Sequence, residues 1–360
     1  MSNSSEVLQN IKHSLTRPIF LKVVFITFIF GVCVYYAAYI TGNVVAFSSS
    51  LYSRPMWNSL IVFIPFFLYL RFLIVLVIKD KPEGFLQAYL SDIKKYIGVK
   101  SLIYGVPLLY ILTIFFSFFT SAKNMIPSIV PFSWDLTLTN WDRFLHGGTL
   151  PWEILHDTIG SYTTTHLLST FYKLWFIVKF GTIIWQAFAK ENEGLREQFF
   201  LSTLLSWVII GTILATIFSS VGPCFYGKLY PESLDPYAEL MAHIYAADVL
   251  GKVYEIPAME YLWAAYTNHS GGAFSGISAF PSMHVSLATI FMLTGWRISK
   301  FIGILFTCFF LLTLMGSVYL GWHYAVDGYY SFICTCLIWW GVGKFLVSQT
   351  ENTRDETRNA

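Results

Sequence analysis

The chain has 360 residues, of which 55% are hydrophobic, 19% aromatic and only 12% charged. Soluble domains carry about 25% charged residues, so this composition excludes an ordinary soluble protein and predicts one that crosses a membrane several times. The net charge of +2 favours neither nucleic acid nor a strongly acidic partner.

Eight apolar segments are predicted to cross the membrane, because roughly 20 apolar residues in a helix span a bilayer. The first is too long for a signal-peptide core and lacks a small-residue cleavage site, so we expect it to remain as a helix. The sequence thus predicts an all-α, polytopic membrane bundle with helices at about 18–40, 58–78, 101–120, 167–189, 199–220, 283–297, 300–322 and 326–347.

Lysine and arginine predict the orientation, because cytoplasmic loops carry an excess of both. With the N-terminus in the cytoplasm, 14 of them fall on the inner side and 5 in the outer loops. The inner set is Lys12, Arg17, Lys79, Lys81, Lys94, Lys95, Lys100, Lys190, Arg196, Arg297, Lys300, Lys344, Arg354 and Arg358, and the outer set is Arg54, Lys123, Arg143, Lys228 and Lys252. We therefore expect both termini in the cytoplasm.

The long outer loops, 121–166 and 221–282, are rich in Pro, Gly, Trp and Tyr, which favours interfacial or re-entrant structure. The five cysteines, Cys33, Cys224, Cys308, Cys334 and Cys336, show neither a disulfide framework nor metal-ligand spacing. They are predicted to be small packing residues.

The segment Phe280-Pro281-Ser282-Met283-His284 predicts a helix start at the outer end of the sixth span. Ser282 is a favoured N-cap residue, and Pro281 disfavours helix in the residue before it. Free N–H groups at a helix start bind anions such as phosphate. Backbone could approach such an anion closely at three glycines upstream, Gly271, Gly272 and Gly276.

His323 and Asp327 are four residues apart and share one face of a helix, at the outer end of the last two spans. A carboxylate on one imidazole nitrogen leaves the other free as a nucleophile or base, with His284 on the same side of the membrane as the complementary acid. The alternative is structural: interfacial histidines within an aromatic belt of Tyr319, Trp322 and Tyr324.

These motifs carry a family resemblance. Pro-Ser-x-His at 281–284 and Tyr-Leu-x-x-His-Tyr-x-x-Asp at 319–327 resemble the second and third signatures of the type 2 phosphatidic-acid phosphatase superfamily. Residues 277–285 and the stretch from Lys123 to Gly148 are similar to its inositol phosphorylceramide synthase branch. The resemblance implies a six-helix core over 101–347, two additional N-terminal helices within 1–100, and a polar cytoplasmic tail at 348–360.

The resemblance also implies a mechanism. His323 would attack phosphorus and form a phosphohistidine, Asp327 would orient it, and His284 would protonate the leaving oxygen. It implies no metal and no cofactor. The expected partners are a membrane lipid and a possible hydroxyl acceptor, at the periplasmic, extracellular or lumenal face.

Two departures from the superfamily pattern concern phosphate binding. The Lys…Arg-Pro first signature is missing, and residues 222–228 stand in its place. Ser317 replaces the arginine of the third signature, which favours phosphotransfer over simple hydrolysis. The predicted substrate-binding residues are therefore Ser282, Lys228, Tyr226, Ser317, Tyr319, Asp142 and Arg143, the last two being either headgroup ligands or structural caps.

Two alternative functions stay open at this point. One is a simple phosphatase of phosphatidate, sphingoid-base phosphate or polyprenyl pyrophosphate. The other is a non-catalytic transporter or scaffold, although the sequence lacks the inverted repeats common in transporters. Arg71, Lys173 and Lys179 lie in apolar spans. Arg71 and Lys173 either line a cavity or extend to the interface, and the sequence assigns no role to Lys179.

Overall fold

The computed structural model describes residues 2–71, 84, 86–91, 99–189, 192–231, 234–249 and 251–359. Within these ranges the protein is a bundle of helices without strands, as predicted. The helices are α1 Ser2–Leu15, α2 Pro18–Ile40, α3 Ser53–Arg71, α4 Val99–Ile129, α5 Asp135–Leu145, α6 Pro151–Ile159, α7 Tyr162–Phe188, α8 Glu193–Ile217 (with a π-helical segment at Ile209–Leu214), α9 Ala238–Ala247, α10 Glu255–Thr267, α11 Met283–Ile298, α12 Lys300–Tyr319 and α13 Ala325–Asn359.

Six helices in the described ranges are long and apolar enough to cross a membrane: α2, α4, α7, α8, α12 and α13. Of the other two predicted spans, α11 forms as a helix of 16 residues. The second, 58–78, is described only up to Arg71, and its remainder lies outside the described residues. Helix α4 is longer than the predicted 101–120, so Lys123 belongs to this helix rather than to a loop.

Capping residues set where several helices begin. Ser161, Asn192, Ser282 and Ser299 each accept a hydrogen bond from the backbone N–H three residues later. Such a side chain satisfies one of the N–H groups that a helix start leaves without a partner. The sequence-based placement of the α11 start at Ser282 is confirmed.

Ionic contacts bring both termini to one end of the bundle. Lys22 of α2 pairs with Glu197 of α8 (Nζ–Oε1, 2.7 Å) and also hydrogen-bonds Gln349 of α13. Arg17 pairs with Glu193 at 3.3 Å. Because α2 and α8 begin there while α13 ends there, the turn between α12 and α13 lies at the opposite end.

Helix α11 packs along α12 and against α8 and α13, deep in the bundle. Its Ser286 hydroxyl bonds Thr335 of α13 at 2.7 Å. Close approach to α12 depends on Gly303, since a Cβ there would lie 2.5 Å from the Trp296 ring. The short α11 is thus held on several sides by neighbouring helices.

The two long predicted loops fold as helices over the end of the bundle that carries the α12–α13 turn. Leu138 of α5, Leu150 before α6 and Leu240 of α9 are completely buried in one cluster with Tyr324 from that turn. Burying such side chains stabilises the structure by roughly 1.5–3 kcal/mol each. These segments therefore form a packed cap rather than flexible connections.

The start of α8 and the end of α7 depend on Arg196, which is buried. Its guanidinium donates to the carbonyls of Gln186 (Nε–O, 3.0 Å) and Ala187 (Nη2–O, 2.9 Å). These are among the last carbonyls of α7, which lack helical partners. A cation there is also stabilised by the negative end of the helix dipole.

Arg196→Ala is therefore expected to lower the free energy of unfolding by about 1.5–3 kcal/mol, since buried carbonyls lose a charged donor. Thermal unfolding in detergent micelles measures this loss. The exposed Arg297 provides the control variant Arg297→Ala, and equal losses in both variants would contradict the assignment.

Candidate active site

His323 and Asp327 meet at the turn between α12 and α13. The His323 Nδ1–H donates to Asp327 Oδ2 at 3.0 Å, and the Tyr324 backbone N–H donates to the same oxygen at 3.1 Å. The His323 residue is 6% exposed, and Asp327 is completely buried. The predicted four-residue pairing therefore forms, through Nδ1 of His323.

Burial lowers the pKa of His323 to about 3, aided by the nearby charge of Lys123 and opposed by the Ala279 carbonyl. The imidazole is therefore neutral at neutral pH. A neutral imidazole whose Nδ1–H is engaged carries a lone pair on Nε2. That lone pair is what a nucleophile needs.

His284 lies in the first turn of α11, opposite His323. The centroids of the two imidazole rings are 5.8 Å apart. Tyr172 of α7 stacks on His284 with ring centroids 5.0 Å apart, and Trp175 lies at 4.2 Å. The Trp175 indole N–H also donates to the His284 carbonyl at 3.1 Å. Helix α7 thereby fixes His284, and the three residues predicted to meet do so.

A buried carboxylate, Asp135 of α5, ties the surrounding backbone together. It accepts the N–H groups of Val221 (3.0 Å) and Gly222 (2.9 Å), and the Tyr324 hydroxyl (2.8 Å). Burial raises its pKa, and these donors oppose that rise. Asp135 thus links the residue after His323 to the connection that follows α8.

That connection, the 219–224 segment, leads into residues 222–228, which stand in place of the missing first signature. Ala279 donates its N–H to the Ser220 carbonyl at 3.1 Å, on the side of the segment that approaches α11. On the other side, Cys224 donates its N–H to the Gly321 carbonyl at 2.9 Å. The segment therefore positions the two histidine-bearing turns relative to each other through backbone contacts.

Gly222 is required within this segment. Its φ of +91° is rare for residues with a side chain. A Cβ would also lie 2.9 Å from the Ala279 Cβ and 2.9 Å from the Trp322 carbonyl oxygen. Both neighbours belong to the turns that carry the histidines.

Asp142 caps a helix, which is the structural one of the two roles that the sequence allows. Its carboxylate accepts the N–H groups of Ala325 and Val326 at 2.9 Å each, and so caps the start of α13. Burial raises its pKa to about 6, against these two donors. Arg143, next to it, is exposed.

A cavity of about 320 Å³ opens beside the two histidines, and both line it. The start of α11 borders this cavity through Met283 and His284, and Pro281 just before the helix also lines it. Most of the remaining wall is apolar and aromatic, from Phe116, Phe119, Trp175, Phe176, Phe180, Trp207, Phe225 and Phe274. Such walls suit the hydrocarbon part of an amphipathic ligand.

None of the seven predicted substrate-binding residues is among the described residues that line this cavity. Ser282 caps α11, and the Ser317 hydroxyl donates to the Leu314 carbonyl at 2.8 Å. The Tyr319 hydroxyl bonds Thr165 at 3.0 Å. Tyr226 is buried in the cap, and Lys228 lies beside Trp263. Asp142 lies at the start of α13, and Arg143 lies on the surface.

The polar residues of the cavity instead include Lys123, Lys173, Lys179 and Glu255. Lys173 and Lys179 were ambiguous in the sequence, and the structure places both on the wall. The Arg71 side chain lies outside what is described. Gly271, Gly272 and Gly276 lie close to side chains of Asn124, Tyr261 and Lys123, so they allow the 271–281 loop to pack closely.

Tyr52, which sequence reasoning did not single out, also lines the cavity. Its hydroxyl accepts the Phe274 N–H at 3.0 Å and bonds Thr120 of α4 at 2.9 Å. Only its place in a short link between apolar segments distinguishes it in the sequence. The 271–281 loop is thus anchored by the N-terminal part of the chain.

A comparison with protein-family models matches residues 136–341, more than half of the chain, to the PAP2 superfamily. The chain belongs to the PAP2 superfamily. The matched range contains His284, His323 and Asp327, and it begins after α4. This membership indicates a lipid phosphatase-type function. No curated protein and no solved structure matches the chain.

Gly222→Ala is expected to destabilise this PAP2 protein by about 1–3 kcal/mol through backbone strain and the two short contacts. Gly42→Ala is the matched control, because Gly42 also has a positive φ (+71°) but has no other heavy atom within 4 Å of an added Cβ. Thermal unfolding of both variants in the same detergent separates the destabilisation caused by the close contacts from that caused by the positive φ. Equal destabilisation would refute the role of the contacts.

Proposed function

We propose that the protein is a membrane-embedded lipid phosphatase or phosphotransferase that acts through a phosphohistidine on His323. One observation carries the proposal: an imidazole oriented by Asp327 faces a second imidazole, His284, with ring centroids 5.8 Å apart beside one cavity. A nucleophile held by an orienting group next to an acid–base residue is the arrangement that covalent catalysis requires.

In the first step, Nε2 of His323 attacks the phosphorus of a lipid phosphate or phosphodiester. The N–P bond forms as the P–O bond to the leaving group breaks. His284, in its protonated form, gives its proton to the leaving oxygen. Asp327 keeps the Nδ1 proton of His323 in place and stabilises the positive charge that develops on the ring.

In the second step, the now neutral His284 takes the proton of the incoming hydroxyl group. The oxygen of that group attacks phosphorus, the N–P bond breaks, and His323 is released in its starting form. Water as the acceptor gives hydrolysis, and an alcohol gives transfer. The same two histidines serve both outcomes, so the acceptor that reaches the cavity decides between them.

We propose transfer to a hydroxyl acceptor as the main reaction, as in the inositol phosphorylceramide synthase branch that the motifs resemble. Two sequence features favour this reading: the first signature is missing, and Ser317 replaces an arginine. The largely apolar wall of the cavity supports an amphipathic substrate. Charge distribution favours an active site on the periplasmic, extracellular or lumenal face, with both termini in the cytoplasm.

The roles of the two histidines are distinguished by comparing a substrate whose leaving group needs no proton with lipid phosphates, whose leaving group does. Para-nitrophenyl phosphate releases a stable phenolate that needs no proton, so His284→Ala should still release about one equivalent of phenolate and then stall. With lipid phosphates, His284→Ala should lose roughly 10²–10⁴-fold in turnover, as expected when an acid–base group is removed. His323→Ala should show neither the burst nor lipid turnover. Rapid quenching and phosphohistidine detection complete the measurement.

His13→Ala is the control, because His13 is exposed and lies in α1, close to the termini. It should behave as wild type. Lipid turnover that persists in His323→Ala would refute the proposal. The absence of any phosphoenzyme and any turnover in wild type would favour the transporter or scaffold alternative.

Hydrolysis and transfer are separated by supplying labelled lipid phosphates and phosphodiesters with and without candidate alcohols, including inositol and ceramide-type lipids. Transfer predicts a new labelled lipid whose formation depends on the alcohol. Phosphate release into water alone, unaffected by any alcohol, would identify a simple phosphatase.

A further inference from the structure

The cavity contains more positive charge than its own residues balance. Among the described residues that line it, three are lysines, Lys123, Lys173 and Lys179, and one is a carboxylate, Glu255. The PAP2 match begins at residue 136, so Lys123 lies outside it. The arginines that the superfamily signatures place at the phosphate are missing here. These lysines are therefore the candidate cations for phosphate binding in the cavity.

Lys173 already has partners at the end of the cavity near α10. Its Nζ lies 3.6 Å from the centroid of the Tyr254 ring. Burial raises the pKa of Glu255, and the charge of Lys173 opposes that rise, so these two residues interact. Lys173 thus already has an aromatic contact and a nearby carboxylate.

Lys179 of α7 is only 8% exposed, and no carboxylate among the described residues pairs with it. Its Nζ lies over three rings, at 4.6 Å from Trp175, 4.9 Å from Phe176 and 4.5 Å from Phe180. Aromatic faces stabilise an ammonium group by about 0.5–2 kcal/mol, less than the cost of burying the charge. An anion in the cavity would supply the remaining stabilisation of the buried ammonium group.

Lys123 of α4 likewise has no carboxylate partner in the described ranges. The loop at Gly276 packs on it, since a Cβ there would lie 3.0 Å from Lys123 Cγ. Asn124 beside it bonds the Ser275 hydroxyl at 2.8 and 3.0 Å, which fixes the loop on α4. The lysine is therefore held in position beside the site.

Both lysines are near the catalytic imidazoles. Lys123 and Lys179 line the same cavity as His284 and His323. The Lys179 Nζ lies 4.6 Å from the centroid of the Trp175 ring. Trp175, which contacts the His284 ring, precedes Lys179 by four residues, or about 6 Å along α7. Lys179 thus lies on the His284 side of the cavity, and Lys123 shares the cavity with both histidines.

We propose that Lys123 and Lys179 are the phosphate-binding cations of this site. The inference rests on the proposed function and deepens it. Lys123 binds the non-bridging oxygens of the phosphoryl group under attack by His323. Lys179 stabilises the negative charge on the His284 side, where the leaving oxygen departs. The clamp thus comes from α4 and α7 rather than from the superfamily signatures, and charge-assisted hydrogen bonds of this kind are among the strongest in proteins.

Orthovanadate, a phosphate analogue that needs no knowledge of the lipid, tests this assignment. Lys123→Met and Lys179→Met remove the charge while keeping most of the side-chain length. Each should raise the inhibition constant of vanadate at least tenfold and lower kcat/KM for lipid phosphates by about 10²–10³-fold, as for loss of an electrostatic stabiliser.

The same variants distinguish ligand binding from a structural role. Replacing a buried unpaired charge by an apolar group leaves a protein equally or more stable. Without vanadate, Lys123→Met and Lys179→Met should therefore unfold at the wild-type temperature or above. With vanadate, they should lose the stabilisation that wild type gains. Lys252→Met, at an exposed lysine, should match wild type in both measurements.

Vanadate affinity unchanged in both Met variants, or lost only in Lys228→Met, would overturn the assignment while leaving the proposed function intact. If vanadate neither inhibits nor stabilises wild type, and His323→Ala keeps full turnover, the proposed function falls and the lysine assignment falls with it.

Discussion

The structure depends on the burial of one carboxylate. Asp135 joins the 219–224 segment to the turn that carries His323, because Val221, Gly222 and Tyr324 all donate to it. A buried carboxylate is tolerated only when its acceptor capacity is filled. Here the donors come from two distant parts of the chain. Asp135 therefore holds the His323 turn against the 219–224 segment, and the backbone bond from Ala279 to Ser220 holds the other turn against the same segment.

This constraint explains how the site forms without the superfamily's first signature. In its place, the 219–224 segment contributes backbone groups to Asp135, Ala279 and Gly321. Positioning and charge are thus separated: the segment supplies geometry, and the lysines of the cavity supply charge. In the usual signature pattern, one stretch of sequence carries phosphate-binding side chains itself.

The sequence predicted the parts of the site that depend on local spacing. The His323–Asp327 pair and the Ser282 cap follow from intervals of four and three residues, which a helix converts directly into contacts. The predicted substrate-binding residues do not line the cavity, and this has a different cause. Ser317 and Tyr319 lie next to the motif in sequence, but α12 directs them to Leu314 and Thr165. The predicted end of α4 at residue 120 places Lys123 in a loop. The helix in fact continues for nine more residues, to Ile129, and therefore contains Lys123.

Tyr52 has a consequence for how such proteins diversify. It belongs to the part of the chain that precedes the PAP2 match, yet its hydroxyl holds the loop that covers the cavity. The matched range therefore contains His284, His323 and Asp327, while part of the wall of the cavity comes from residues outside it. Ligand selection can drift through changes in that peripheral part, with the histidines and their aspartate left untouched.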